Sequence, residues 1–385
     1  ELEVESTVIK KQIGDYFVRI QAFPDVEDNE YIKNKSLEFC KKQVLKNAMM
    51  KSVPLLNNCS FEEIEQLITK ALRLGADNNF GYDYIKDFDA RFLLKARNPV
   101  STGWDKIDKI SKGGLGSGEL CVVIAPTGAG KSHVLVHLGA QALKQGKNVV
   151  HFTLELSDTA VARRYDACLT DINLDNLIDE KEAIFEKVKD IDGQLIVKEY
   201  PTKSATTITI KNHLEKIRQT QMEIDMVIVD YGDLLRGSSV GKNTEKRHEL
   251  ESIYEELRGI AQEFNCPLVT ASQTNRKGLN EEVITMESIS EAFNKCFVAD
   301  FIISLSRTIK DRNSNIGRLF VAKNRNGPDG IIYSVFMDTG TVTIKVLERE
   351  DVVKIQAQEQ AKREKSDMSA ARKVYHQMKK EKQQL

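Results

Sequence analysis

No stretch of this chain is apolar for long enough to cross a membrane, and no positively charged, then apolar leader opens it. Cysteine is sparse and scattered. Cys40, Cys59, Cys121, Cys168, Cys266 and Cys296 include no CxxC pair, so no dithiol or zinc-ribbon spacing is spelled out, and reduced thiols in a cytosol-like compartment are expected. Charge of neither sign is in excess. With 56 basic against 57 acidic residues and a net charge of −1, a uniformly basic surface is excluded, and any nucleic-acid contact must be local. The first residue is Glu rather than Met, which reads as a trimmed start. What is present, 41% hydrophobic and 29% charged over 385 residues, is the composition of a soluble globular core with appendages.

The most informative stretch runs from Glu119 to His133. Leu120 to Ile124 is a short apolar run that reads as a buried strand, and a helical pattern follows from Val134 to Lys147. Between them lies Ala125-Pro126-Thr127-Gly128-Ala129-Gly130-Lys131-Ser132, a phosphate-binding P-loop with Ala in place of the first Gly, and His133 follows it directly. Gly128 and Gly130 let the backbone curl so that successive N–H groups face phosphate oxygens. Lys131 reaches the β- and γ-phosphates, the Ser132 hydroxyl ligates Mg²⁺, and the helix begins with its positive end toward the same anion. Residues 125–133 are therefore the expected contacts of ATP or another nucleoside triphosphate.

Upstream, residues 28–52 read as a helix with Leu37, Cys40, Val44 and Ala48 on one stripe, stopped by Pro54. Ser60 and Glu63 form a capping-box pair before a second helix, which Gly75 ends. Residues 1–80 thus contain a helical hairpin, serving either as a capping subdomain or in oligomerisation. Residues 81–98 form a linker whose helix, Ile85 to Arg97, docks either in cis or on a neighbour.

From residue 99 to residue 347 strands and helices alternate, which predicts an α/β fold with a mainly parallel sheet covered by helices. Strands are expected at Asn148–Leu154, Gln194–Tyr200, Met226–Val229 and Pro267–Ser272. Further strands at Phe301–Leu305, Leu319–Lys323, Ile331–Met337 and Val342–Leu347 are expected to be antiparallel at the edge. Polar residues just past strand ends mark the ligand edge of such sheets. Asp230, after four apolar residues, is the acid that supports Mg²⁺; Glu155 is the first candidate for the base that activates water, with Asp233 behind it; Gln273 is placed to sense a γ-phosphate.

Six features together resemble the replicative hexameric helicases of the DnaB type, superfamily four, within the RecA-like ATPases. They are Val100-Ser101-Thr102-Gly103-Trp104 with Lys112 to Leu120; the P-loop; Thr153-Leu154-Glu155-Leu156; Val229-Asp230-Tyr231; Thr270 to Arg276; and Lys323-Asn324-Arg325-Asn326-Gly327-Pro328. The resemblance implies a RecA-like core that hydrolyses NTP at subunit interfaces of a ring, a homo-hexamer, and that pulls single-stranded DNA 5′ to 3′ through the pore. It implies that Glu155 activates water, that Lys131 and Gln273 act on the γ-phosphate, and that Lys323 and Arg325 reach a neighbour's site as cationic fingers. It places two loops on DNA, Arg236–His248 and Asn275–Lys295, with Arg276, Lys277, Glu287, Ser288, Ile289 and Ser290 on phosphates. Aromatics are scarce there, which favours backbone tracking over base stacking. Primase, a helicase loader and the replicative polymerase are the implied partners, in a cytoplasm, the host's if the chain is of the bacteriophage type. Departures from the family pattern are Ala125, Gly232-Asp233 and Asn294 to Val298. The competing readings are a RecA- or KaiC-like ATPase that assembles without unwinding, and a non-catalytic nucleotide-binding assembly protein. Residues 348–385 read as a charged tail, a partner-binding segment or a spacer.

Overall fold

The fold is built outward from β1 (Leu120–Ala125), every residue of which is buried. An unbroken apolar run is what a strand covered on both faces requires. The computed structural model describes residues 29–57, 63–64, 67–68, 84–85, 88–89, 97–237, 246–274, 283–285, 297–348, 350–351 and 354. Two compact units emerge, Glu1–Leu94 and Lys95–Leu385.

In the first unit, α1 (Asn29–Asn57) is a long helix that continues through Pro54, where the sequence pattern predicts a stop. Proline removes one i→i−4 bond and does so here in the last turn, where that loss is smallest. Ala48 is buried as the stripe requires, and the Ser52 hydroxyl donates to its carbonyl at 2.8 Å, but Cys40 is exposed. The second hairpin helix and the linker helix lie almost wholly outside the described residues.

The second unit carries a nine-stranded sheet in the order β3-β2-β4-β5-β1-β6-β7-β8-β9. Its members are β2 (Val149–Thr153), β3 (Leu195–Glu199), β4 (Met226–Asp230), β5 (Leu268–Gln273), β6 (Phe301–Ser306), β7 (Ile316–Asn324), β8 (Ile331–Asp338) and β9 (Thr343–Val346). The strands from β3 across to β6 are parallel, and β7, β8 and β9 continue as antiparallel neighbours. Here β6 corrects the sequence reading, which put it among the antiparallel strands. It pairs parallel with β1, Cys121 opposite Phe301 through Ile124 opposite Ser304, and its residues are buried throughout, as an internal strand's must be.

Alternation along β1 divides the core in two. Cys121, Val123 and Ala125 pack with α3 (Lys131–Lys144) and α4 (Asp158–Thr170) on one face. Leu120, Val122 and Ile124 pack with α6 (Thr207–Gln219) and α7 (Lys246–Phe264) on the other. Four short helices or helical turns complete the described elements around this sheet: α2 (Asp105–Ile110), α5 (Lys181–Val188), a 3-10 turn at Gly232–Leu234 and α8 (Ile309–Asn313). Trp104 closes the first face, stacked on His137 at 4.6 Å with its indole N–H donating to the Ile344 carbonyl at 3.0 Å.

Gly139 lets α3 pack tightly against Tyr165 of α4. A Cβ there would lie 2.1 Å from the Tyr165 hydroxyl, which holds His151 Nδ1 at 2.9 Å in the buried core. Alanine gains about 1 kcal/mol in helix propensity, yet overpacking costs about 1–3 kcal/mol. Gly139→Ala is therefore expected to lower stability in urea titrations by up to about 2 kcal/mol, and by less in a Tyr165→Phe background. An equal loss in both backgrounds would show that the hydroxyl is not the obstacle.

Candidate nucleotide site

The carboxyl ends of the six parallel strands lie along one edge of the sheet. β1 delivers the P-loop there. Gly128 and Gly130 take φ values of 72° and 112°, which L-residues rarely adopt. Gly130 caps α3 without any side-chain hydrogen bond, so the first N–H groups of the helix are left facing the loop. A Cβ on Gly130 would strike the Met337 side chain at 2.2 Å. Lys131 is buried, with its ammonium 5.2 Å from the centre of the Tyr231 ring.

β4 ends at Asp230. Its carboxylate is buried, and neither oxygen has a hydrogen-bond partner of normal geometry, although the Ser132 side chain stands beside it. Burial pushes its pKa up to about 6; Ser132 works against that rise, Glu155 adds to it, and Lys131 and Arg164 oppose it. The peptide from Asp230 to Tyr231 is cis. A buried, orphaned carboxylate facing a hydroxyl is short of a cation. Among the described residues no group of three or more His, Cys, Asp or Glu could hold a metal alone. A cation here would therefore share its coordination with phosphate and water, as Mg²⁺ does. The residues present fit Mg²⁺ and a nucleoside triphosphate: residues 125–132 for the phosphates, Ser132 and Asp230 for the metal.

The other predicted residues fall into two groups. Glu155, just past the end of β2, is exposed and close enough to Asp230 and Arg164 for its charge to act on both. Gln273 ends β5 opposite Ala125; its amide donates to the Thr127 hydroxyl, and its carbonyl accepts from the Tyr231 hydroxyl at 3.4 Å. Asp233 is occupied otherwise. It accepts from Tyr254 at 2.8 Å, Ser272 at 3.2 Å and the Gln273 N–H at 3.3 Å, so it braces the end of β5 rather than standing free as a base. His133 leans on the Thr339 backbone, and burial, with Arg164 and Arg307 nearby, lowers its pKa to about 4, so it is neutral at pH 7.

Lys323 and Arg325 are not brought to this edge. β7 runs antiparallel to β6 with Asn324 opposite Phe301, so both cations lie at the amino end of β1 and β6. At about 3.3 Å per residue the length of β1 puts them about 17 Å from the P-loop of the same chain. The Lys323 ammonium donates to the Phe297 carbonyl at 2.8 Å. The turn holding Arg325 is braced on both sides. Asn324 donates to the Ile110 and Pro328 carbonyls at 2.9 and 3.1 Å, and Asn326 donates to Glu119 at 2.9 Å. Glu119 is itself gripped by Arg97 through two contacts of 2.6 Å. Gly327 is required there, since a Cβ would lie 2.0 Å from the Ile110 carbonyl.

The proposed DNA contacts Arg276, Lys277, Glu287, Ser288, Ile289 and Ser290 all lie outside the described residues. Two arginines were missed in the sequence. Arg164 on α4 faces Asp230 and Glu155, and burial lowers its pKa while both acids raise it. The signal was available: Ser157 caps α4 by accepting from the Ala160 N–H, and Val161, Tyr165 and Cys168 mark its buried face. Arg312 on α8 has its guanidinium 3.7 Å from where a Gly128 Cβ would sit; nothing local in the sequence points there.

The model of the DnaB-like helicase C-terminal domain matches residues 99–345. The chain belongs to this family. A DnaB-like replicative helicase of enterobacteria phage T4 is 28% identical over 307 residues, covering 73% of this chain and 64% of that protein. The replicative DNA helicase DnaB of Mycoplasma genitalium is 26% identical over 277 residues, and this chain spans 58% of its length. Among solved structures, a DnaB-like replicative helicase studied for its interactions with primase superposes with a TM-score of 0.58 at 15% identity, covering 89% of this chain and 87% of that one. The family's RecA-like fold is thus the one seen here, and no helix among the described residues is long and apolar enough to cross a membrane.

Burial of Asp230 has a measurable consequence. Its folded pKa, about 6, exceeds the ordinary 3.8. The charge therefore weighs against folding above about pH 6, and the penalty vanishes below about pH 4. Asp230→Asn is expected to be more stable than the parent without ligand, by about 1–3 kcal/mol at pH 7.5. The gap should open between pH 4 and 6 and then level, and Mg²⁺ with nucleotide should stabilise the parent more than the variant. Melting curves across pH check this; a gap independent of pH would mean that the carboxylate is not held in a desolvated state.

Proposed function

We propose that this chain is the motor part of an ATP-dependent DNA helicase that assembles into a homo-hexameric ring and moves along single-stranded DNA, 5′ to 3′ by likeness to its family, unwinding duplex ahead of it. One observation carries this reading. The phosphate cradle and the Lys323–Pro328 turn stand at opposite ends of β1, so a complete hydrolytic site needs a second copy of the chain.

In such a site Gly128, Gly130 and the first N–H groups of α3 hold the β- and γ-phosphates, with Lys131 neutralising them from a buried position. Mg²⁺ would supply charge neutralisation at the phosphate oxygens, held by Ser132 with Asp230 behind it. Glu155 takes the proton of the attacking water. Arg164 places a positive charge beside Asp230 and opposes the rise that burial imposes on its pKa. Gln273 links the γ-phosphate position to Thr127 and Tyr231, and from there to the loop that follows β5. Arg325 and Lys323 of the adjoining subunit neutralise charge that spreads over the γ-phosphoryl oxygens during transfer. Because the cations come from a neighbour, hydrolysis depends on ring geometry. Arg276, Lys277 and the segment Glu287–Ser290 would grip the DNA backbone in the pore, with binding that weakens as salt rises. Primase, a loader and the replicative polymerase would dock on the assembled ring, with the N-terminal unit and the linker supporting assembly.

Lys131→Ala and Arg325→Ala are each expected to lower DNA-stimulated hydrolysis by about 10³-fold and to abolish displacement of a strand from a forked duplex. Arg325→Ala subunits mixed with Glu155→Gln subunits should regain turnover, since each supplies what the other lacks. Hydrolysis without strand displacement in the parent would favour a RecA- or KaiC-like ATPase. A monomer that hydrolyses at full rate would remove the shared site altogether.

A further inference from the structure

The Arg325 side chain does not hang free at the amino end of the sheet. Asp300, immediately before β6, holds it. The Arg325 guanidinium pairs with the Asp300 carboxylate at 2.9 Å, and the Arg325 N–H donates to the Asp300 carbonyl at 3.1 Å. The same carboxylate accepts from the Leu120 N–H at 3.0 Å, and from Arg258 of α7 at 3.0 Å through Nε and 3.1 Å through Nη2.

The two arginines use the acid differently. Arg258 grips both carboxylate oxygens with its fork, the geometry that fixes a carboxylate most firmly. The closest Arg325 contact runs from Nη1 to the carboxylate oxygen that Arg258 Nη2 also meets. A guanidinium has five N–H donors, so this contact does not exhaust it. Exposure agrees: the Asp300 side chain is 6% exposed and that of Arg325 is 44% exposed. The charges agree as well. One carboxylate shared by two guanidinium groups leaves a net positive charge, so Asp300 orients Arg325 without neutralising it.

We propose that Asp300 is a positioning residue for hydrolysis in the adjoining subunit. Clamped by Arg258 and by the start of β1, it presents the Arg325 guanidinium outward at a fixed angle, so that the neighbour's phosphate meets an oriented cation. The proposal rests on the reading that Arg325 acts in trans. The anchoring also joins the two ends of β1 mechanically, because the Leu120 N–H that holds Asp300 opens the strand whose far end is the P-loop. A cation ordered before contact loses less conformational freedom when it engages, which is how preorganisation raises a rate without new contacts.

The test compares Asp300→Asn, Arg325→Ala and the double variant in the full chain, assembled on oligo-dT with Mg²⁺ and ATP. Asp300→Asn should lower kcat about tenfold or more with KM for ATP within about twofold, because its own P-loop is untouched. The double variant should be no slower than Arg325→Ala alone. Asp300→Asn subunits mixed with Glu155→Gln subunits should recover turnover, which a general folding defect would not allow. Parent-like or faster turnover in Asp300→Asn, with Arg325→Ala inactive, overturns the positioning role while leaving the trans reading intact. An additive loss in the double variant also overturns it. Parent-like turnover in Arg325→Ala removes the trans reading and this proposal together. Should Asp300→Asn fold poorly, Asp300→Glu keeps Arg258 paired and moves the guanidinium by one methylene; the same kcat loss supports the proposal, and an unchanged kcat overturns it.

Discussion

A single buried strand keeps apart two things that attract each other. β1 carries the anion cradle at its carboxyl end and, through the Leu120 N–H and the Glu119 side chain, fastens the cation-bearing turn at its amino end. Attraction between Arg325 and a γ-phosphate would close the site within one chain if the backbone allowed it. A strand hydrogen-bonded on both sides to β5 and β6 cannot bend to allow it. On the proposed reading, the rigid sheet would turn a local electrostatic attraction into a force between subunits. The burial that makes β1 rigid, with helices on both faces, is the same burial that its apolar sequence supplies.

At the cradle end, desolvation governs the chemistry. Asp230 is buried without a partner, Lys131 is buried over an aromatic ring, and Arg164 is held between two acids with its own charge disfavoured by burial. On the proposed reading, a metal-bound phosphate would complete the set and offset these costs, since charges in a water-excluded site act strongly on one another. At the turn end the polar groups have partners. Asp300 is held by Arg258 and the Leu120 N–H, Glu119 by Arg97 and Asn326, and Asn324 by the Ile110 and Pro328 carbonyls, while the Arg325 side chain remains 44% exposed.

Features that a few neighbouring residues determine could be read without a structure. The P-loop needs its glycines and lysine within one turn, Asp230 follows a four-residue apolar run, and Gln273 ends another strand; each location follows from local pattern. The parallel direction of β6 could not be read this way, because a short, mostly apolar run such as Phe301–Ser306 looks the same in either direction and the choice is made by what lies beside it. Nor could the occupation of Asp233, whose partners Tyr254, Ser272 and Gln273 come from two other elements. Pro54 misled in the other direction: a proline near a helix end removes a bond that the last turn barely needs. Arg164 lies between these cases, since a capped helix after β2 was legible while the acids it faces were not.

The Lys323–Pro328 segment shows why a short motif can stay together when only part of it does chemistry. Lys323 and Arg325 carry the charge. Asn324 and Asn326 hold the turn to Ile110 and Glu119, one on each side of the arginine. Gly327 is there because the Ile110 carbonyl leaves no room for a Cβ. On the proposed reading, replacing either asparagine by a charged residue would misplace Arg325 whichever sign of charge it added. A motif of this kind specifies a direction, and its neutral residues matter as much as its cations for as long as the partner site lies on another chain.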